Sequence, residues 1–191
     1  PPFEPGSASA RRRAITSIST RACSSVTPGL SLALAPSQRK LRVMFDGWKA
    51  SGQPGSFKAI DGQIAADGPR SHLFYSGPVR NADFKNFELR AEVMARPLAN
   101  SGVYFHTAFQ SDGFPQKGFE IQVNNTALGE GSYRERKKTG SLYAIRNVYK
   151  QFVPDDEWFR LLLSVRGKQI QVRLNEMLLQ PLPVTHPEQL V

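Results

Sequence analysis

From Phe45 onward the chain runs in short segments whose apolar side chains recur at every second residue, and turn residues separate one segment from the next. A period of two sends successive side chains to opposite faces of a strand, whereas a helix needs a period near 3.6, which is almost absent here. This is a strong constraint, because such segments fold as sheets with an apolar face that something must cover. The longest, Phe87–Ala95, sets Phe87, Leu89, Ala91, Val93 and Ala95 on one side and Glu88, Arg90 and Glu92 on the other. Gln169–Leu174 repeats the logic with Ile170, Val172 and Leu174 inward. The pattern predicts further strands over Ser56–Ile60, Gln63–Ala66, Leu73–Ser76, Gly102–Phe109, Gly118–Asn124, Ser141–Ile145 and Trp158–Arg166. Asp61-Gly62 predicts a tight hairpin turn, and Arg166-Gly167-Lys168 another. Two antiparallel sheets packed face to face satisfy all of these, so the expected class is an all-β sandwich.

A chain of 191 residues builds one substantial core rather than two domains. The expected division is a unit over residues 42–191 preceded by a basic head, 1–41. Residues 1–40 carry a net charge of +5 and the remainder +4, so the pI of 10.0 comes largely from the head. Pro, Ser, Ala and Arg without apolar periodicity bury too little surface to offset the entropy of ordering, and the head is expected to be disordered. Arg11 to Arg13 and the short run ending at Ala35 bear a faint likeness to an export signal, too short and badly spaced to separate export to the periplasm or extracellular space from an organellar-type or non-native leader. The compartment stays unassigned. Beyond Arg134, Arg136, Lys137 and Lys138, read as a solvated loop, no basic cluster marks a folded face, so no nucleic-acid partner is expected. The single cysteine, Cys23, excludes an intrachain disulfide framework or a cysteine-based metal site. No run reaches the roughly 18–20 apolar residues of a membrane span.

Two segments carry the candidate chemistry: NSGVYFHT from Asn100 to Thr107, and KGFEIQVNN from Lys117 to Asn125. On the second, Phe119, Ile121 and Val123 oppose Glu120, Gln122 and Asn124; on the first, Val103 and Phe105 oppose Tyr104 and His106. If the polar faces adjoin, they offer a carboxylate, an imidazole, a phenol and two amides, with Gly102 leaving room for close approach. The plain alternative is a sheet with one core face and one ordinary wet face. Glycosidases commonly use two carboxyl groups, yet the same-face neighbours of Glu120 are the amides Gln122 and Asn124, which neither relay a proton nor attack. One carboxylate with one imidazole suits the removal and return of a proton beside a carbonyl, and Glu120 with His106 is the candidate pair. Otherwise Glu120 pairs with a nearby Arg or Lys and His106 bonds a strand neighbour. Tyr104, Gln122, Asn124 and Tyr143 are candidate sugar contacts. His72, His106 and His186 are too scattered for a readable metal site, leaving a divalent metal open. Asp155, Asp156 and Glu157 read as a solvated turn, with calcium a minor option.

These segments in this order resemble the 3-keto-disaccharide hydrolase domain, also described as a 3-keto-glucoside 1,2-lyase/3-keto-2-hydroxy-glucal hydratase domain. The likeness runs through FDGW (Phe45–Trp48), GPRSHLFY (Gly68–Tyr75), DFKNFELRAEV (Asp83–Val93), the two segments above, KKTGSLYAI (Lys137–Ile145) and DEWFRLLLSVRGKQIQVRLN (Asp156–Asn175). It implies a concanavalin A-like jelly-roll sandwich whose concave face cleaves 3-keto-glycosides, by elimination and hydration or net hydrolysis. By position Glu120 and His106 map onto the polar face of its motif, with Tyr104, Gln122 and Tyr143 nearby. Asn100, Lys138 and His72 stand within the matching segments and complete the set. Many relatives carry Arg where His106 stands. Relatives also continue for a strand or so past the end of this chain, so the expectation is a sandwich missing its terminal strand, with an exposed edge. The alternatives to a hydrolase or lyase are a non-catalytic sugar-binding module and a truncated, inactive paralogue.

Overall fold

The computed structural model describes residues 16–19, 47–129 and 131–183. They form eleven strands and two short 3-10 turns, with no α-helix among the described residues. The strands are β1 (Thr16–Ser19), β2 (Trp48–Gly52), β3 (Phe57–Ile60), β4 (Gln63–Ala66), β5 (Ser71–Tyr75), β6 (Phe87–Ala95), β7 (Ser101–Phe105), β8 (Phe119–Val123), β9 (Phe159–Arg166), β10 (Gln169–Leu174) and β11 (Met177–Pro183). All pairings are antiparallel. One sheet has seven strands in the order β11-β10-β9-β6-β1-β4-β3; the pairs β2-β5 and β7-β8 form two further sheets, and β7-β8 packs its apolar face onto the first. The all-β antiparallel sandwich is the architecture that the alternation predicts.

The core forms where alternation says it should. Ala91, Val93 and Ala95 of β6, Leu161, Leu163 and Val165 of β9 and Val172 of β10 meet Ile121 and Val123 of β8, all nearly or fully buried. Each large aliphatic side chain so buried stabilises the sandwich by about 1.5–3 kcal/mol. A one-residue slip of β8 would turn that whole set away from the aliphatic core and point Glu120 into it, which fixes the register that positions the site. At the β3–β4 hairpin, Asp61 and Gly62 both take positive φ (50° and 78°), as a two-residue turn of this kind requires.

Four expectations need correcting. No strand forms over Ser141–Ile145; Leu142 makes isolated bridges to Ile121 and Arg146, and Ala144 turns the chain at φ 60°. The strand expected over Gly102–Phe109 ends at Phe105, because His106 takes a left-handed backbone, φ 55°. Strands do not stop at Leu174, since β11 follows the Asn175 turn and pairs with β10. Finally, Thr16–Ser19 of the head, expected to be unstructured, pairs as β1 between β6 and β4. Ladder pairing needs only main-chain donors and acceptors, so composition is blind to it. The rest of the head with Cys23 and Arg11 to Arg13, together with Phe45, Asp46 and His186, lies outside the described residues. No helix among the described residues is long and apolar enough to cross a membrane.

Candidate active site

The β7-β8 register sets Tyr104 directly opposite Glu120 and Gly102 opposite Gln122. The polar faces of the two segments therefore adjoin. Tyr104 Oη donates to Glu120 Oε2 at 2.9 Å. Gly102 is the residue that makes room: a Cβ there would fall on the Glu120 carboxylate and within 2.7 Å of its Cγ. From the neighbouring β5, the half-buried His72 sets its ring against Tyr104, with centroids 5.4 Å apart and planes at 85°. Burial, then the charge of Arg70, pushes the His72 imidazole below its ordinary value, so it is neutral at pH 7.

A second polar group stands beside the carboxylate on the loop after β8. Lys137 Nζ lies 3.1 Å from Tyr133 Oη, 3.3 Å from Tyr143 Oη and 3.5 Å from Glu135 Oε1. Glu135 is only 4% exposed. Burial pushes its carboxyl up, but hydrogen bonds from the Lys137 N–H and the Tyr133 hydroxyl, with the Lys137 ammonium, outweigh this and hold it below the usual range. Burial likewise works against charge on Lys137, yet the two tyrosine oxygens and Glu135 win and raise it. Both groups thus stay charged at neutral pH. Sequence reasoning missed this pair by treating Arg134 to Lys138 as a solvated loop. A signal was present, since Tyr133, Glu135 and Lys137 alternate with Arg134, Arg136 and Lys138.

Glu120 itself is pushed up to about 7. Burial is the largest cause; the Tyr104 hydrogen bond opposes it, Glu135 adds to it and Lys137 opposes it. The Tyr104 phenol is driven well above its ordinary range by burial and by Glu120, so it remains a donor. Tyr143 is raised to about 12, chiefly by burial. Because the folded Glu120 binds its proton more tightly than the unfolded chain does, its contribution to stability falls as pH rises from about 4.5 to about 7. Replacing it with Gln, which still accepts from Tyr104, is expected to stabilise the fold at pH 8 by about 2–3 kcal/mol. Melting curves at pH 4.5 and 8 check this, and an equal shift at both would refute the raised carboxyl.

The other candidates separate. Gln122 is buried and donates to Asn100 Oδ1 at 2.8 Å, so the first amide pair braces β7 against β8 while Asn100 remains at the surface. Tyr143 joins the Lys137 group, placed by the bridge at Leu142 rather than by a strand. Asn124 is not a surface contact. Fully buried, it accepts from the Ala127 N–H at 2.9 Å and donates to the Lys137 carbonyl at 3.0 Å. Asn124→Ala orphans those buried groups and is expected to cost about 2–3 kcal/mol, read as a Tm lowered by several degrees; an unchanged Tm would contradict that clamp. Lys138 reaches the Ala127 carbonyl at 3.4 Å and takes no part in the cluster.

His106 is not the partner of Glu120. Its left-handed backbone ends the alternation, and the ring packs against Phe87, Phe105 and Phe119, the apolar side of the pair, with Nε2 3.0 Å from the Lys85 carbonyl. Parity was extrapolated one residue past the strand's end. Asp155 accepts from the Thr126 hydroxyl at 2.5 Å. Among the described residues no three of His, Cys, Asp or Glu cluster closely enough to hold a metal ion.

Comparison with known proteins agrees with this architecture. The chain is similar to two crystal structures of candidate glycosyl hydrolases from Parabacteroides distasonis ATCC 8503. The first has 20% identity and a TM-score of 0.61 over 74% of this chain and 69% of that one. The second has 21% identity and a TM-score of 0.55 over 71% and 72%. At such identities the likeness speaks for the fold. No curated protein matches. A domain model described as 3-keto-alpha-glucoside-1,2-lyase-like matches residues 42–189. That span takes in both strands that carry Glu120 and Tyr104 and the loop that carries Lys137, and by it the chain belongs to the 3-keto-alpha-glucoside-1,2-lyase-like domain family.

Proposed function

We propose that this protein is a carbohydrate-active enzyme that cleaves 3-keto-glycosides by elimination, followed by hydration, with Glu120 as the base. The observation that carries the reading is the Glu120 carboxyl, raised to about 7 and hydrogen-bonded at 2.9 Å to a phenol, while the one carboxyl described beside it, Glu135, is held ionised by Lys137 and Tyr133 and so has no proton to give. A base with this affinity for protons is half-ionised at neutral pH and takes and returns a proton with little penalty. The ketone at C3 acidifies the hydrogen at C2. Glu120 removes that proton, and the electron pair moves into the C3 carbonyl as an enolate. The enolate then re-forms the ketone as the C1–C2 double bond forms and the C1 glycosidic oxygen departs, taking up a proton. Water adds back across that double bond. The Lys137 ammonium, charged throughout the working range, supplies the positive field in which the enolate develops. Two carboxyl groups are not needed for this route, and the tie between Gln122 and Asn100 is consistent with an amide that holds the strands.

The test is incubation with a 3-keto-disaccharide in D2O, followed by NMR. Release of the second sugar is expected, with deuterium at C2 of the 3-keto sugar that remains. Binding without exchange or release would favour the sugar-binding module, and neither binding nor turnover the inactive paralogue.

A further inference from the structure

We infer that the loop running from Phe109 to Gln116 forms a subsite for a second pyranose ring, the leaving sugar of the glycoside. This rests on the reading of Glu120 as the base and adds to it the place where the leaving sugar binds. The aromatic side chains Phe109 and Phe114 stay 42% and 61% exposed although Lys49 Nζ lies 3.8 Å over the Phe109 ring and the Arg70 guanidinium over the Phe114 ring, so each keeps open aromatic surface beside a cationic side chain. They are also held in place. The Gln110 amide donates to the carbonyls of Asp112 and Phe114 and accepts from the Gln116 N–H at 3.1 Å, so one side chain closes the loop on itself. The Gly52 N–H donates to the Ser111 carbonyl at 3.0 Å, tying the loop to β2. A platform ordered before its ligand arrives loses less entropy on binding than a floppy one.

Its position and chemistry point to a sugar. Phe114 meets His72 with ring centroids 5.8 Å apart, and His72 in turn meets Tyr104, the donor to Glu120. The platform is therefore continuous with the base through two ring contacts, one ring further along the same face. The Arg70 guanidinium lies over one face of the Phe114 ring, 4.9 Å from its centroid, and 3.6 Å from Asp112, so donors and an acceptor adjoin the ring and a sugar would take its other face. An aromatic face for pyranose C–H groups edged by charged hydrogen-bonding groups for hydroxyls is the composition a sugar subsite needs. A protein partner would want a larger, drier patch.

The experiment compares 3-ketomaltose with methyl 3-keto-α-glucoside, using the wild-type protein and Phe114→Ala. Phe114 is exposed, so the variant is expected to keep its fold, and a melting curve verifies it. The expected result is that Phe114→Ala lowers kcat/KM for the disaccharide about tenfold more than for the methyl glycoside, mainly through KM. Gln110→Ala, which loosens the loop, should shift the same ratio in the same direction. An equal loss on both substrates, or none, overturns the subsite. If neither substrate is turned over, the failure belongs to the catalytic reading, and NMR titration of both proteins with maltose and methyl α-glucoside decides the subsite alone. Weaker maltose binding confined to Phe114→Ala supports it, and identical affinities sink it.

Discussion

Glu120→Gln is expected to lower turnover of a 3-keto-disaccharide by about 10²–10⁴-fold, the range over which a positioned general base contributes. The substitution is nearly isosteric and keeps an oxygen to accept from Tyr104, so substrate affinity should change little, and the loss should fall on kcat. The pH profile gives an independent reading. A base works only when ionised, so the wild-type rate should climb as pH rises through about 7 and level off above it, since burial has moved the carboxyl there from its ordinary 4.5. Steady-state rates between pH 5 and 9 measure this. A midpoint near 4.5 would mean the carboxyl is not desolvated when substrate binds, and wild-type turnover in Glu120→Gln would place the base elsewhere.

The parts of this fold that could be read in the sequence are those where periodicity acts. β6, β9 and β10 alternate in burial, β8 does so except at the buried Gln122, and the boundaries of all four follow the alternation closely. The polar parity of Tyr104 and Glu120 was legible for the same reason, whereas their adjacency, a condition in the sequence, is supplied by the β7-β8 register. Legibility failed where the backbone leaves extended geometry. One left-handed residue turned His106 away from the face that its numbering assigned to it. Asn124 sits one residue beyond β8, and there the amide is consumed by the main chain of the next loop. Lys137 and Lys138 are identical in type and adjacent in sequence, yet one is held by Tyr133, Glu135 and Tyr143 and the other is not. Composition cannot tell them apart; parity can, since Lys137 falls in step with Tyr133 and Glu135 and Lys138 does not, but the burial of Glu135 that gives this parity its weight is a tertiary outcome.

Gly102→Ala is expected to reduce turnover nearly as far as Glu120→Gln, although it adds one methyl group and removes no functional one. The new Cβ would fall on the Glu120 carboxylate, so that side chain must swing out of its contact with Tyr104 or the β7-β8 pair must part. The strands are fixed by the buried Ile121 and Val123 on the opposite face, so the carboxylate is the part that yields. Overpacking of this kind costs about 1–3 kcal/mol, leaving a folded protein with a displaced base. A rotated carboxylate also regains water, which removes the main cause of its raised proton affinity, and the acid limb of any residual activity should move below 7. Two changes that disable one group are not additive, so Gly102→Ala combined with Glu120→Gln should be no slower than Glu120→Gln alone. Measured kcat values for the two single variants and the double variant test this. A multiplicative loss would mean that Gly102 acts by some route other than the room it gives Glu120.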